Sequence, residues 1–123
     1  MTTTREGART PDDITRLFVE RANARDAAGM AALYAQDAVM AYPPGSVTVG
    51  REAITELCER LLHHLPLPLP GETPRPALHY GNLALTSTPS ADGKGERVQV
   101  VRREADGTWV RIIDRPEVPQ EQP

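Results

Sequence analysis

The chain has 123 residues, of which 39% are hydrophobic and 25% charged, and its formal net charge at pH 7 is -3. This size and composition predict one globular domain with one core. A negative chain provides no positive field for a nucleic-acid backbone or an anionic membrane surface, and no apolar run approaches the roughly 20 residues that span a bilayer. We therefore expect neither nucleic acid nor membrane as a partner.

The cysteine content and the N-terminal sequence both favour the cytoplasm. Cys58 has no second cysteine with which to form an intrachain disulfide, which is compatible with a reducing compartment. Residues 1–11 lack the apolar stretch of a secretory signal peptide. We expect a cytoplasmic protein.

The first helix is predicted to begin after Thr10 and to run to about residue 24. The Thr10 hydroxyl can accept a hydrogen bond from a first-turn amide, Pro11 suits the first helical position, and Asp12 and Asp13 favour the positive end of the helix dipole. Apolar residues then recur at helical spacing, Phe18 among them. One face of this helix is therefore expected in the core.

Two further helices are predicted. Asp26 is expected to cap a short one that ends near residue 36, with Tyr34 on its buried side. The residues after Gly50 carry an apolar stripe opposite a charged face, which predicts a third helix with Cys58 in its core-facing stripe.

The remaining elements are predicted to be strands and turns. Two β-favouring runs, 38–42 and 46–49, flank a Pro-Pro-Gly turn and form a small hairpin. Residues 65–76 place proline at alternate positions, which favours a stiff connector over a helix or a strand. A lid over a pocket and a PxxP-type ligand for another domain remain the alternatives. Three strands should follow, over about 77–88, 97–104 and 108–114.

The ends of the chain are expected to be flexible tails. Residues 1–9 and 116–123 have no apolar period with which to pack on a core. The predicted domain therefore covers residues 10–115.

Two segments carry a resemblance to a known family. The first, at 23–54, reads N-A-R-D-A-A-G-M-A-A-L-Y-A-Q-D-A-V-M-A-Y-P-P-G followed by S-V-T-V-G-R-E-A-I, and the second, at 106–114, reads D-G-T-W-V-R-I-I-D. Together they resemble the nuclear transport factor 2-like superfamily, within its SnoaL-like and ketosteroid-isomerase-like group. The resemblance implies an α+β fold: a cone-shaped α+β barrel in which three N-terminal helices pack on a strongly curved, mostly antiparallel sheet around a hydrophobic pocket. It also implies a homodimer through the convex sheet face.

The catalytic groups of ketosteroid isomerases are not retained at the matching positions. Those enzymes use a carboxylate base together with a tyrosine and a neutral aspartic acid. The matching positions here hold Tyr42, Phe18 and Gln99. Steroid isomerisation by that mechanism is therefore not expected.

Three residues are candidates for catalysis. In related epoxide hydrolases and many SnoaL-like proteins an aspartate follows the tryptophan pattern and points into the cone, which is the position of Asp114 here. Strict strand alternation places Val110 and Ile112 on its face, and a carboxyl group among apolar neighbours suits proton transfer; an ion pair at the strand end is the alternative. Tyr42 can donate to a ligand oxygen, and His79 can exchange protons near neutral pH.

The rest of the pocket wall is predicted from side chains that the fold would turn inward: Phe18, Tyr34, Met40, Leu57, Leu61, Gln99, Val101 and Ile112. The adjacent His63 and His64 point about 100° apart on a helix, so no metal site is expected. No cofactor is expected either.

Two functions remain open from the sequence. One is an isomerase, cyclase or epoxide hydrolase that acts on a small apolar oxygenated ligand by acid/base catalysis. The other is a non-catalytic ligand-binding or dimeric accessory protein of the same fold. A pure scaffold would differ from both in having a filled cone.

Overall fold

A single mixed sheet organises the chain in the computed structural model, which describes residues 5–90 and 93–119, the last three of these for their backbone only. Within these residues the strands lie in the order β2-β1-β6-β5-β4-β3, and all neighbours are antiparallel except β1 and β6. The elements of the described residues are α1 (Pro11–Asn23), α2 (Ala27–Ala31), β1 (Tyr34–Met40), β2 (Thr48–Val49), α3 (Arg51–Leu62), β3 (Leu78–Tyr80), β4 (Leu83–Pro89), β5 (Gly95–Arg103) and β6 (Trp109–Pro119).

Local chemistry fixes the start of α1, as predicted. The Asp13 amide donates to Thr10 Oγ1 at 3.3 Å, and the Thr10 amide donates to the Asp13 carboxylate at 3.2 Å. This reciprocal pair satisfies two amides that a helix start would otherwise leave without partners. Helix α3, predicted after Gly50, is present as well.

The second helix is shorter than predicted, and the placement of Tyr34 in it is wrong. Asp26 does cap α2, accepting from the Gly29 amide at 2.9 Å, but the helix ends at Ala31 and Tyr34 opens β1. The Arg111 amide donates to the carbonyl oxygen of Leu33 at 2.8 Å, so pairing with β6 begins where the helix was expected to continue. Tertiary pairing therefore overrides the local helical pattern.

One of the strand predictions is confirmed and another is wrong. The hairpin of β1 and β2 is confirmed, with Val39 opposite Val49. The single strand predicted over 77–88 is wrong, because Gly81 adopts a φ of 60° and turns the chain between β3 and β4. This left-handed conformation is readily available to glycine and ends the extended run.

An extra residue in β6 changes which side chains face inward. Gln99 pairs with Asp114 and Val100 with Ile113, but Val101 pairs with Arg111, so Ile112 has no partner on β5. This is a β-bulge, in which two residues of one strand oppose one residue of the other. The strand alternation used to predict the inward face of β6 is therefore wrong on the N-terminal side of Ile112.

The packed domain extends beyond the predicted boundaries. Ala8 is buried, and its carbonyl accepts from the Trp109 amide at 2.9 Å. Arg5 lies 3.1 Å from Asp26 in an ion pair, and β6 continues to residue 119. Residues 5–9 and 116–119 thus contact the domain, although they were predicted as tails; residues 1–4 and 120–123 lie outside the described residues.

The sheet face that points away from the helices carries one exposed apolar row. Strand register aligns one apolar residue from every strand across the whole sheet, and Leu78, Leu85 and Ile113 expose 69%, 43% and 52% of their surface. We call this set the convex row: Val49, Val39, Ile113, Val100, Leu85 and Leu78. Among the described residues, no helix is long and apolar enough to cross a membrane.

Candidate functional site

A cavity of about 270 Å³ lies between the helices, the inner face of the sheet and the proline-rich segment 65–76. Much of its wall is apolar, from Phe18, Met40, Cys58, Leu61, Leu65 and Leu69. Buried polar residues line it as well, and we give the name polar cluster to the four that contact one another around Asp114: Tyr34, Gln99, Arg111 and Asp114.

Asp114 is at the centre of the polar cluster. This residue is only 2% exposed. Tyr34 Oη donates to Oδ2 at 2.5 Å, Gln99 Nε2 donates to Oδ1 at 3.1 Å, and Arg111 Nη1 lies 3.9 Å from Oδ2. A carboxylate has about four acceptor positions, so both oxygens retain acceptor capacity beyond these bonds.

The prediction that the carboxyl group of Asp114 lies among apolar neighbours is therefore wrong. Every described group that contacts this carboxylate through a polar atom offers a hydrogen or a positive charge. The alternative, an ion pair at the strand end, is not observed in that form: among the described residues Asp114 is paired with Arg111, and both side chains are buried.

Tyr34 is held as a neutral phenol. Burial raises the pKa of Tyr34 well above its usual value, and the nearby negative charge of Asp114 adds to this effect. The phenol oxygen donates to Asp114 and accepts from Arg111 Nη1 at 3.1 Å. Tyr34 thus links the carboxylate of Asp114 to the guanidinium of Arg111.

Arg111 remains charged in spite of its burial. Burial opposes the charge, but the negative potential of the Tyr34 oxygen and Asp114 outweighs it, so the pKa of Arg111 is raised. The guanidinium carbon also lies 5.1 Å from the centre of the Phe18 ring and 5.6 Å from that of Tyr34, a geometry in which aromatic faces attract cations.

Thr86 fixes the orientation of Gln99. Both residues are buried, and Thr86 Oγ1 donates to Gln99 Oε1 at 2.8 Å. With its oxygen occupied in this way, the amide turns its NH₂ group towards Asp114. The polar cluster is therefore braced from a neighbouring strand.

Cys58 is on the apolar part of the wall. Burial raises the pKa of its thiol to about 11. A thiol in this state is protonated at neutral pH and behaves as a small apolar group, which agrees with its predicted core position.

The proline-rich segment 65–76 closes one side of the cavity. Leu65 and Leu69 contribute to the wall, and Asn23 bonds to both polar groups of the Leu69 main chain, at 3.0 and 2.6 Å. Further along, Glu72 forms an ion pair with Arg97 of β5. The segment is thus both a connector and part of the site.

Seven of the predicted site residues come together around the cavity: Asp114, Tyr42, Phe18, Tyr34, Met40, Leu61 and Gln99. Tyr42 is half-buried, and its phenol makes no hydrogen bond with the described residues. The structure thereby groups the principal acid with the tyrosine and glutamine expected beside it.

Four predicted site residues are not on the wall. Leu57 and Val101 are buried in the core, and Ile112 is the extra residue of the bulge. His79 is exposed on β3, where its ring and that of Trp109 pack nearly perpendicular to each other at a centroid distance of 5.6 Å. The assignment of these four residues to the cavity wall is wrong. For His79 the reason is that β3 folds back on β4 as a hairpin.

Arg111 was missed by the sequence prediction. Strict alternation from Asp114 turns it away from the cavity, and the bulge at Ile112 brings it back. The sequence did contain one signal, an arginine within the otherwise apolar run W-V-R-I-I.

This architecture, three helices on a curved, mostly antiparallel sheet that encloses a pocket, is the cone-shaped α+β fold of nuclear transport factor 2-like proteins, as predicted. The SnoaL-like domain model matches residues 15–112. The chain belongs to the SnoaL-like domain family. No curated protein matches its sequence.

Solved structures resemble the chain at the level of the fold. An NTF2-like protein with a cystatin-like fold from Novosphingobium aromaticivorans is 16% identical with a TM-score of 0.69, covering 89% of this chain and 79% of its own. A ketosteroid isomerase-like protein from Erwinia carotovora atroseptica is 15% identical with a TM-score of 0.69, covering 88% and 93%. An NTF2-like protein of unknown function from Pseudomonas putida is 20% identical with a TM-score of 0.67, covering 89% and 84%.

Proposed function

We propose that this domain binds a small, apolar, oxygen-bearing molecule in its cavity and that Asp114 exchanges a proton with it. The observation that supports this proposal is the convergence of two groups on one largely apolar cavity: the buried carboxylate of Asp114 and the phenol of Tyr42, which has no hydrogen-bond partner among the described residues. Ligand sites are typically apolar with a few polar groups that fix orientation. At about 270 Å³ the cavity is just below the roughly 300–1,000 Å³ usual for such sites, so the ligand is small.

The chemistry assigned to the site is reversible proton transfer at a carbon next to a carbonyl group. An Asp114 oxygen takes the proton, the electron pair of the broken C–H bond forms a C=C bond, and the carbonyl π pair moves to the oxygen. Tyr42 donates a hydrogen bond to that oxygen, because its phenol lines the cavity without a partner among the described residues. Return of the proton to the same or a conjugated carbon completes exchange or isomerisation.

Deuterium exchange tests the chemistry without knowledge of the natural product. Cyclic ketones are incubated with the protein in D₂O, and loss of the proton signal next to the carbonyl is followed by NMR. Faster exchange with wild type than with the isosteric Asp114→Asn variant is expected, while Tyr80→Phe, a change on an exposed residue, should match wild type.

Binding is tested separately with Leu61→Trp. Leu61 is a half-buried wall residue, so the larger ring should fill the cavity and abolish binding of the same ketones. Binding without any acceleration of exchange would favour the alternative, a non-catalytic ligand-binding protein. Binding that survives Leu61→Trp would contradict the assignment of the cavity.

We also propose that the protein is a homodimer through the convex face of its sheet. The convex row crosses the whole sheet, and a contiguous exposed apolar surface favours association. Sedimentation equilibrium should give twice the chain mass of 13.5 kDa. Leu85→Lys should give the monomer mass, whereas Val47→Lys, in the loop between β1 and β2, should not; a monomeric wild type would contradict the proposal.

A further inference from the structure

Arg111 uses little of its hydrogen-bonding capacity. A guanidinium has five N–H donors, yet the only side-chain hydrogen bond of Arg111 to the described residues runs from Nη1 to Tyr34. Its Nε is buried without a partner in the described part of the chain. The residue is 6% exposed and lines the cavity.

The unused donors lie along one edge of the guanidinium. Nε and Nη2 point in parallel along this edge, and Arg51 shows its normal use, since its Nε and Nη2 both donate to the Tyr34 carbonyl, at 2.9 and 2.8 Å. In Arg111 the corresponding pair makes no hydrogen bond with the described residues. A buried donor without a partner costs about 1–3 kcal/mol, so this edge favours an acceptor supplied from the cavity.

We infer that Arg111 anchors a carboxylate on this edge and that the ligand is a small apolar carboxylic acid. This inference rests on the proposed ligand-binding role of the cavity. The two parallel N–H groups match the two oxygens of a carboxylate, which a single carbonyl oxygen does not. The apolar wall, including Phe18 and Leu61, accommodates the body of the acid.

The ion pair with Asp114 leaves the donors of Arg111 available. Asp114 lies 3.9 Å from Arg111 Nη1, beyond hydrogen-bonding distance, and its two oxygens already accept from Tyr34 and Gln99. This carboxylate thus counters the charge of the guanidinium without occupying its donors. Asp114 nevertheless lowers the affinity for a second negative charge, so its replacement by asparagine should strengthen binding of an acid.

The test compares one acid with its uncharged analogues. Binding of 3-phenylpropanoate, 3-phenylpropanamide and 3-phenylpropanol is measured by calorimetry at pH 7. Wild type should bind the acid roughly tenfold or more tightly than the amide or the alcohol, the difference expected for hydrogen bonds to charged groups. Arg111→Gln should remove this preference, Asp114→Asn should increase it, and Arg102→Gln, on the same sheet but outside the cavity wall, should leave it unchanged.

The outcomes separate a failure of the carboxylate assignment from a failure of the proposed ligand-binding role. Equal binding of the acid and the amide by wild type overturns the inference and leaves the proposed function standing, as does an equal loss of both in Arg111→Gln. Failure of all three probes to bind wild type at millimolar concentration overturns the ligand-binding role of the cavity, and the inference with it. Should Arg111→Gln not fold, Arg111→Lys decides, because lysine keeps the charge but loses the paired donors and should reduce the preference.

Discussion

The polar cluster can be tested by removing one oxygen atom from its centre. Tyr34→Phe keeps the ring, and with it the packing and the contact with the Arg111 guanidinium at 5.6 Å. It deletes the hydroxyl that donates to Asp114 at 2.5 Å and accepts from Arg111 at 3.1 Å. Because no carbon is lost, the change in stability reports on these two hydrogen bonds.

The expected cost is about 2 kcal/mol of unfolding free energy. A hydrogen bond to a charged group contributes about 1.5–3 kcal/mol, and two such bonds set an upper limit near 6 kcal/mol. The cluster lines a cavity, however, so water can enter and replace part of what the hydroxyl supplied. The expected cost is therefore close to that of one such bond.

Urea unfolding at pH 7 measures this cost. Tyr80→Phe is the matched control, since Tyr80 is 84% exposed and the same atom is removed there; it should lie within about 0.5 kcal/mol of wild type. A double-mutant cycle with Asp114→Asn should give a coupling energy of at least about 1 kcal/mol. A Tyr34→Phe variant as stable as the Tyr80→Phe control would refute a stabilising role of the cluster.

Three more predictions concern other sites and use the same unfolding assay. Gly29→Ala should destabilise by about 1 kcal/mol, because its Cβ would lie 2.0 Å from Asp26 Oδ2, yet in an Asp26→Ala background it should stabilise α2. Burial raises the pKa of Cys58 from 9.0 to about 11, so the thiol ionises in the unfolded chain at a lower pH than in the folded one. About 2–3 kcal/mol of unfolding free energy that is present below pH 9 should therefore be lost by pH 11, and Cys58→Val should abolish this pH dependence. Asn23→Ala should cost about 1 kcal/mol and loosen Leu69 towards proteolysis.

Each of these predictions has a clear contrary result. An equal effect of Gly29→Ala in both backgrounds would contradict a clash with the cap. A constant stability difference between wild type and Cys58→Val from pH 9 to 11 would contradict burial of an un-ionised thiol. Unchanged cleavage around residue 69 in Asn23→Ala would mean that other contacts hold the segment.

The parts of the fold that local chemistry determines were predicted from the sequence. The start of α1 follows from Thr10 and Asp13, which satisfy each other's amides without help from the rest of the chain. The position of Tyr34 could not be found in this way. Leu33 precedes it in a helix-compatible pattern, and only pairing with β6, some 80 residues away in sequence, turns this stretch into a strand.

The candidate site was predicted where it depends on residue type and missed where it depends on register. Asp114, Tyr42 and Gln99 were expected together because the family resemblance places their positions in one pocket, and they do line one cavity. His79 was placed at the cone mouth on the assumption of one long strand. The turn at Gly81 shortens that strand and leaves His79 exposed on β3, at the edge of the sheet.

The bulge at Ile112 determines what kind of chemistry the site can support. Arg111 and Asp114 are three residues apart, a spacing that in a regular strand puts one side chain on each face of the sheet. Because Ile112 is an extra residue without a partner on β5, both side chains reach the same cavity. A carboxylate is joined there by a buried cation whose Nε has no hydrogen-bond partner among the described residues. Without the cation, the cavity would offer a ligand an acid and two phenols; with it, the cavity also binds negative charge. The specificity proposed for this site therefore depends on one irregularity in strand register, which neither the residue types nor their periodicity discloses.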